Sequence, residues 1–213
     1  MSKRDYVGKV GAMAVAVVTA LLLSACVNST ARQGEVAYYD LGTGAKVKGT
    51  QALMLRAIDV QSPSWLGTAA MQYRFAYGDA SRRQTYVESR WAATPGELLE
   101  VALRRRIAVG ESDIVAAGCR LRIDVDEFVQ VFDAPDASRA VIEARVSLLA
   151  AKSDQLLARR SISLSHPALT ADARGGVAAF SELTGEISRD VAFWLLKITR
   201  DTPLLAERCG KQA

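Results

Sequence analysis

The apolar run from Val10 through Leu23, closed by Leu23-Ser24-Ala25-Cys26, constrains this chain more than any other feature because it fixes where the rest must fold. Lys3, Arg4 and Lys9 surround a single Asp5 ahead of it, the charged region that precedes the apolar core of an export signal. Fourteen residues at about 1.5 Å each fall short of the roughly 30 Å of a bilayer interior, so the run reads as a cleaved signal and not as a membrane span. Its last four residues form a lipobox. The thiol of Cys26 takes a diacylglyceryl group, Ser24 and Ala25 are small enough for a peptidase to grip the backbone, and Leu23 is the bulky apolar residue three positions upstream. Residues 1–25 are therefore expected to be removed, leaving Cys26 as a lipidated amino terminus. The opposing reading, an uncleaved anchor with an incidental cysteine, fits neither the spacing nor the flanks.

Export determines how the other two cysteines are read. Outside the cytoplasm disulfides persist, and with Cys26 acylated, Cys119 and Cys209 remain to pair. The loop they close holds about 90 residues, for which chain entropy predicts roughly 4 to 5 kcal/mol of stabilisation less any native strain. Free thiols, or pairing between molecules, stay open as alternatives.

Removing Lys3, Arg4, Lys9 and Asp5 with the signal lowers the formal charge from +4 to about +2, so part of the apparent basicity belongs to the signal. No basic stripe interleaved with aromatics remains, which argues against nucleic acid as a partner. The run Arg104-Arg105-Arg106 is expected to be a solvated helix face.

Residues 26–36 are small and polar without apolar periodicity and read as a lipidated tether. Ten extended residues reach at most about 33 Å, so residues 37–213, the folded domain, stay near the membrane. Within that domain Ala37 to Leu41 and Leu53 to Gln61 read as short strands, the second ended by Pro63. Met71, Tyr73, Phe75 and Tyr77 alternate with polar or small residues and return through Arg83 to Trp91 as a hairpin. Thr94-Pro95-Gly96-Glu97 is a helix start with a capping box and proline at the first helical position. The helix runs to about Val109 with Leu99, Ala102, Leu103 and Ile107 on one stripe, and Gly110 stops it.

Residues 119 to 133 form one long strand whose apolar phase switches near Asp126-Glu127, the mark of a bulge. Arg139 to Leu149 and Gln155 to Leu164 extend it into an antiparallel meander. Val177, Phe180, Ile187, Val191, Trp194, Leu195 and Ile198 then line one side of a long amphipathic helix, entered through Arg174-Gly175-Gly176. The expected fold class is α+β, a mostly antiparallel sheet with two amphipathic helices packed on one face.

Tyr38-Tyr39-Asp40-Leu41, Pro63-Ser64-Trp65-Leu66, Met71-Gln72-Tyr73-Arg74, Tyr86 with Arg90-Trp91-Ala92, Pro95 with its helix, Phe128-Val129-Gln130-Val131-Phe132 and Ser138-Arg139-Ala140 follow one another in that order behind the lipobox. In this order and spacing the chain resembles the ABC-type transport auxiliary lipoproteins. The resemblance implies an outer-membrane lipoprotein facing the periplasm, auxiliary to an ABC transporter and a periplasmic MCE-domain protein that carry phospholipids or other hydrophobic molecules between membranes. Val27 after the acylated cysteine, where an aspartate would favour inner-membrane retention, implies the same placement by similarity to sorted lipoproteins. It implies no cofactor, and it leaves self-association into a homo-oligomer open.

Trp65, Leu66 and Trp91 are the candidate partner-binding residues, an apolar patch that would receive the MCE protein or a neighbouring copy of the chain. Tyr73 and Tyr86 belong to the same set but fit the core better; Trp65 and Leu66, in a loop after a proline, are the stronger anchors. No HExxH, phosphate loop or GxSxG occurs and His166 is the sole histidine, so catalysis is not expected. Asp124, Asp126 and Glu127 cluster in sequence, but a strand sends neighbours to opposite faces, and a solvated edge accounts for them better than a cation site. Two further roles stay open: a structural assembly lipoprotein whose partner is an outer-membrane β-barrel, and direct lipid carriage in a cavity.

Overall fold

The computed structural model describes residues 34–47, 53, 55–107, 118–150 and 153–209. The export signal, Cys26, most of the tether and Gly110 lie outside the described residues. Among the described residues seven strands occur: β1 (Ala37–Tyr39), β2 (Leu55–Gln61), β3 (Ala70–Phe75), β4 (Gln84–Trp91), β5 (Cys119–Ala134), β6 (Ala137–Leu149) and β7 (Leu156–Pro167). Helices are α1 (Pro95–Arg106), α2 (Ala173–Asp201) and the short α3 (Pro203–Arg208), with a 3-10 turn at Ser64–Leu66.

The meander is explained by side-chain alternation. Leu121, Ile123 and Val125 are buried while Arg122 and Asp124 between them are not, as the two-residue period of a strand requires. Between the pairs Val125↔Ala144 and Glu127↔Glu143 the register slips by one residue at Asp126. From there Phe128, Gln130 and Phe132 take over the buried face, so the phase switch read in the sequence is a bulge.

The sheet is mixed, with more parallel pairing than the expected mostly antiparallel architecture. It runs β1-β4-β3-β5-β6-β7, with β2 also paired to β5. Three of its pairings are parallel: β1 with β4, β2 with β5, and β3 with β5. Alternation states which face a side chain takes and is silent on the direction of the neighbouring strand. At 16 residues, β5 is long enough to pair with β2 along Cys119–Asp124 and with β3 along Gln130–Phe132.

Helix α1 starts as its sequence dictates. The amide of Glu97 donates to the Thr94 hydroxyl at 3.4 Å and the amide of Thr94 donates to the Glu97 carboxylate at 3.0 Å, satisfying two of the amides that a helix start leaves bare. Its polar side also serves the sheet: the amide of Val60 donates to the Glu100 carboxylate at 3.1 Å and Arg104 donates to the carbonyl of Ile58 at 3.2 Å. Backbone groups of β2 left without a strand partner are thus met by side chains of α1.

Helix α2 buries Ala179, Phe180, Leu183, Ile187, Val191 and Leu195 against β6 and β7. Phe180 stacks on Phe128 with ring centres 4.1 Å apart, and Trp91 meets both rings edge-on at 5.6 Å. The short α3 adds a helix to the two that the apolar periodicity predicts; six residues carry too little periodicity to show, although Thr202-Pro203 repeats the Thr-Pro start of α1. Its end places Cys209 beside Cys119, and the two are joined as a disulfide with Cα atoms 4.7 Å apart.

Candidate partner-binding site

Trp65 occupies the middle of the 3-10 turn that follows Pro63 and is 53% exposed. Its backbone is held first. The Gln72 side chain donates to the carbonyl of Trp65 at 2.6 Å, and the amides of Leu66 and Gly67 close the turn onto Pro63 and Ser64. Its ring is held second, by the guanidinium of Arg83 5.9 Å from the ring centre, within cation–π range.

Arg83 is itself immobilised. It donates to Gln72 at 3.0 Å and through both terminal nitrogens to Glu127, at 2.9 and 2.8 Å, while Arg74 pairs with the same carboxylate. Glu127 follows the bulge and lies on the face of β5 opposite Phe128 and Gln130, which touch α2. A bidentate arginine fixed at its far end presents the indole in one orientation, so little side-chain entropy is lost when something packs on it. The arrangement can bind an apolar or aromatic surface; it holds no nucleophile or acid–base pair.

Leu66 and Trp91 do not share this surface. Leu66 is 1% and Trp91 2% exposed, and both belong to the hydrophobic core. Leu66 is turned inward by the 3-10 turn that turns Trp65 out, and Trp91, at the end of β4, packs on Phe128 and Phe180. Tyr73 and Tyr86 lie with ring centres 4.7 Å apart, tilted by 45°, and are half-buried. The Tyr86 hydroxyl donates to the Gln130 side chain at 3.0 Å, and burial, with smaller contributions from Tyr73 and Asp172, pushes its pKa upward.

The acidic cluster is consumed by arginines. Asp124 pairs with Arg122, Asp126 with Arg145 and Glu127 with Arg74 and Arg83, and no group of metal-ligating side chains occurs among the described residues. His166 meets Glu186 through Nδ1 at 2.8 Å. Arg106 departs from expectation: of the three consecutive arginines, Arg104 and Arg105 are exposed but Arg106 is buried, because the segment Gly42–Val47 crosses it. The amide of Val47 donates to the Arg106 carbonyl at 2.9 Å. Nothing local in the arginine run signals this, since the covering segment lies some 60 positions earlier.

Comparisons with known proteins bear on the fold and the family. The chain is similar in fold to protein XCC0632 from Xanthomonas campestris, with a TM-score of 0.64 and 19% identity over 78% of this chain and 99% of that one. It is similar also to an uncharacterized protein of known structure, with a TM-score of 0.60 and 16% identity over 76% and 99% of the two chains. Comparison with curated proteins finds no match. A family model described as the ABC-type transport auxiliary lipoprotein component matches residues 39–192, from the end of β1 to within α2. The chain belongs to the ABC-type transport auxiliary lipoprotein family.

Proposed function

We propose that the protein is an outer-membrane lipoprotein, anchored through Cys26 and facing the periplasm, that docks a periplasmic MCE-domain protein for an ABC transport system moving phospholipids or other hydrophobic molecules. The match over residues 39–192 carries this reading, because an auxiliary component of a transport system acts by association and not by catalysis. Two features support the finer parts. Residues 26–36 tie the domain to within about 33 Å of its membrane, so a partner bridging the periplasm comes to it. Trp65 offers a rigid exposed aromatic of the kind that dominates interface energetics.

Crosslinking in whole cells followed by purification of the tagged lipoprotein from membranes tests the proposal. Recovery of an MCE-domain protein supports it. Recovery of an outer-membrane β-barrel alone replaces it with a structural role in barrel assembly.

A further inference from the structure

A groove between the segment Gly44–Val47 and the middle of α2 has a chemistry that neither the core nor Trp65 accounts for. It encloses about 470 Å³, and its walls include Lys46, Arg106, Glu182, Gly185, Arg189 and Phe193. Three cations against one carboxylate make its lining positive.

Arg106 is the unusual member. It is 4% exposed, yet its Nε is buried without a hydrogen-bond partner, and its Nη1 donates only to the carbonyl of Ser181 at a long 3.4 Å. A buried guanidinium left this incompletely paired is costly. Burial pushes its pKa down; Glu182 counters this, and Arg189 adds to it. Among the described residues Glu182 does not close to ion-pair distance of Arg106, so the positive charge is attracted without being met.

Two glycines shape the space around it. Gly44 has φ +46°, and a Cβ there would lie 2.1 Å from Nε and 2.3 Å from Cζ of Arg106, so the backbone passes directly over the guanidinium. A Cβ on Gly185 would lie 3.2 Å from Nη1 of Arg106 and 3.4 Å from Nη1 of Arg189. One point on the groove wall is therefore within reach of two guanidinium groups. Like charges drawn together in a partly dry groove repel, unless an anion lies between them.

We propose that this groove is an oxyanion site that takes a phosphate group between Arg106 and Arg189, with Lys46 adding to its field. Guanidinium forks suit phosphate oxygens, and the absence of a side chain at Gly185 lets the Nη1 atoms of Arg106 and Arg189 share one stretch of the groove wall. Phe193, 63% exposed at the edge of the groove, lies against the apolar part of whatever carries the phosphate. Free phosphate and a phospholipid headgroup both supply this chemistry. The site stands on these residues alone and does not depend on the docking role.

The test uses the full chain in dodecyl maltoside. Inorganic phosphate and glycerol phosphate are titrated by calorimetry at low salt, and native mass spectrometry compares retention of phosphatidylglycerol with that of diacylglycerol bearing the same tails. Arg189→Gln, at an exposed position, is expected to fold and to weaken phosphate binding at least roughly tenfold, the loss of one charge-assisted contact. Arg106→Lys is expected to do the same, and Arg189→Gln decides should that variant fail to fold. Binding of inorganic phosphate supports the site with a free anion as ligand. Retention of phosphatidylglycerol but not diacylglycerol, without inorganic phosphate binding, supports it with a headgroup. Absence of both, equal retention of the two lipids without binding of inorganic phosphate, or affinity unchanged in Arg189→Gln overturns it.

Discussion

The carboxamide of Gln130 fills the place where a side chain on Gly176 would begin: a Cβ there would stand 2.2 Å from Oε1 and 2.7 Å from Cδ. That contact docks the first turn of α2 onto β5. The Gln130 Nε2 donates to the Ser138 hydroxyl at 2.8 Å and to the carbonyl of Asp172 at 3.0 Å, and Oε1 accepts from Tyr86 at 3.0 Å. Sheet and helix start are thus joined by one buried amide with all of its bonds directed.

Gly176→Ala should therefore destabilise by about 1 to 3 kcal/mol, because the amide has to move and its hydrogen bonds break. Gln130→Ala should cost a similar amount by leaving Tyr86 and Ser138 unpaired. In the Gln130→Ala background the alanine at position 176 should cost clearly less, since the clash is gone. Denaturant unfolding of the four proteins measures this, and equal costs in both backgrounds would remove the contact as the cause.

The disulfide should matter in proportion to the loop it closes. Cys119 and Cys209 are 90 positions apart, and both side chains are buried in the core, so Cys119→Ser with Cys209→Ser should lose about 3 to 5 kcal/mol. Melting with and without reductant should show the same drop in the unmodified protein and none in the variant. A reductant-insensitive melting temperature in the unmodified protein would mean the bond contributes nothing.

Acid should loosen both helix starts. Hydrogen bonds from the Thr94 side chain and backbone hold the Glu97 carboxyl below its ordinary pKa. The Gly175 amide holds Asp172 below its own, against some desolvation, with Thr170 and Arg174 helping. A carboxyl whose pKa is depressed by folding stabilises the fold above its unfolded value, about 4, and that stabilisation is lost as pH falls through the folded value. The melting temperature should therefore fall from pH 5 to pH 3, and less steeply in Asp172→Asn, which keeps an acceptor at the cap without the charge.

How far the sequence exposes this fold can be judged from individual elements. Alternation in Leu121, Ile123 and Val125, the capping box at Thr94 and the apolar stripe of α2 are local patterns, and each appears where its period places it. The parallel seating of β2 and β3 on β5 is not local, and no period reports it. Nor does one report that Gly44 lies over Arg106: a charged residue beside two exposed arginines looks solvated until a segment 60 positions away covers it. At the candidate site, Pro63 marks the turn, but only three-dimensional packing separates Trp65 from Leu66. Arg83 and Glu127, which orient Trp65, come from β-strand surroundings and carry no motif of their own.

That separation makes the docking reading testable within two adjacent residues. Trp65→Ala removes an exposed ring and should leave unfolding free energy within about 0.5 kcal/mol of the parent, as exposed substitutions usually do. Leu66→Ala empties a core position and should cost about 2 to 5 kcal/mol. If Trp65 is an anchor, its alanine variant should lose most of the crosslinked partner at unchanged stability. Arg83→Met, which frees the indole from its cation and leaves Glu127 to Arg74, should lose an intermediate amount. Leu66→Ala should reduce crosslinking only in step with its folded fraction. Full partner recovery by Trp65→Ala would move the docking surface elsewhere on the domain, because a fixed aromatic that can be deleted without loss contributes no binding energy.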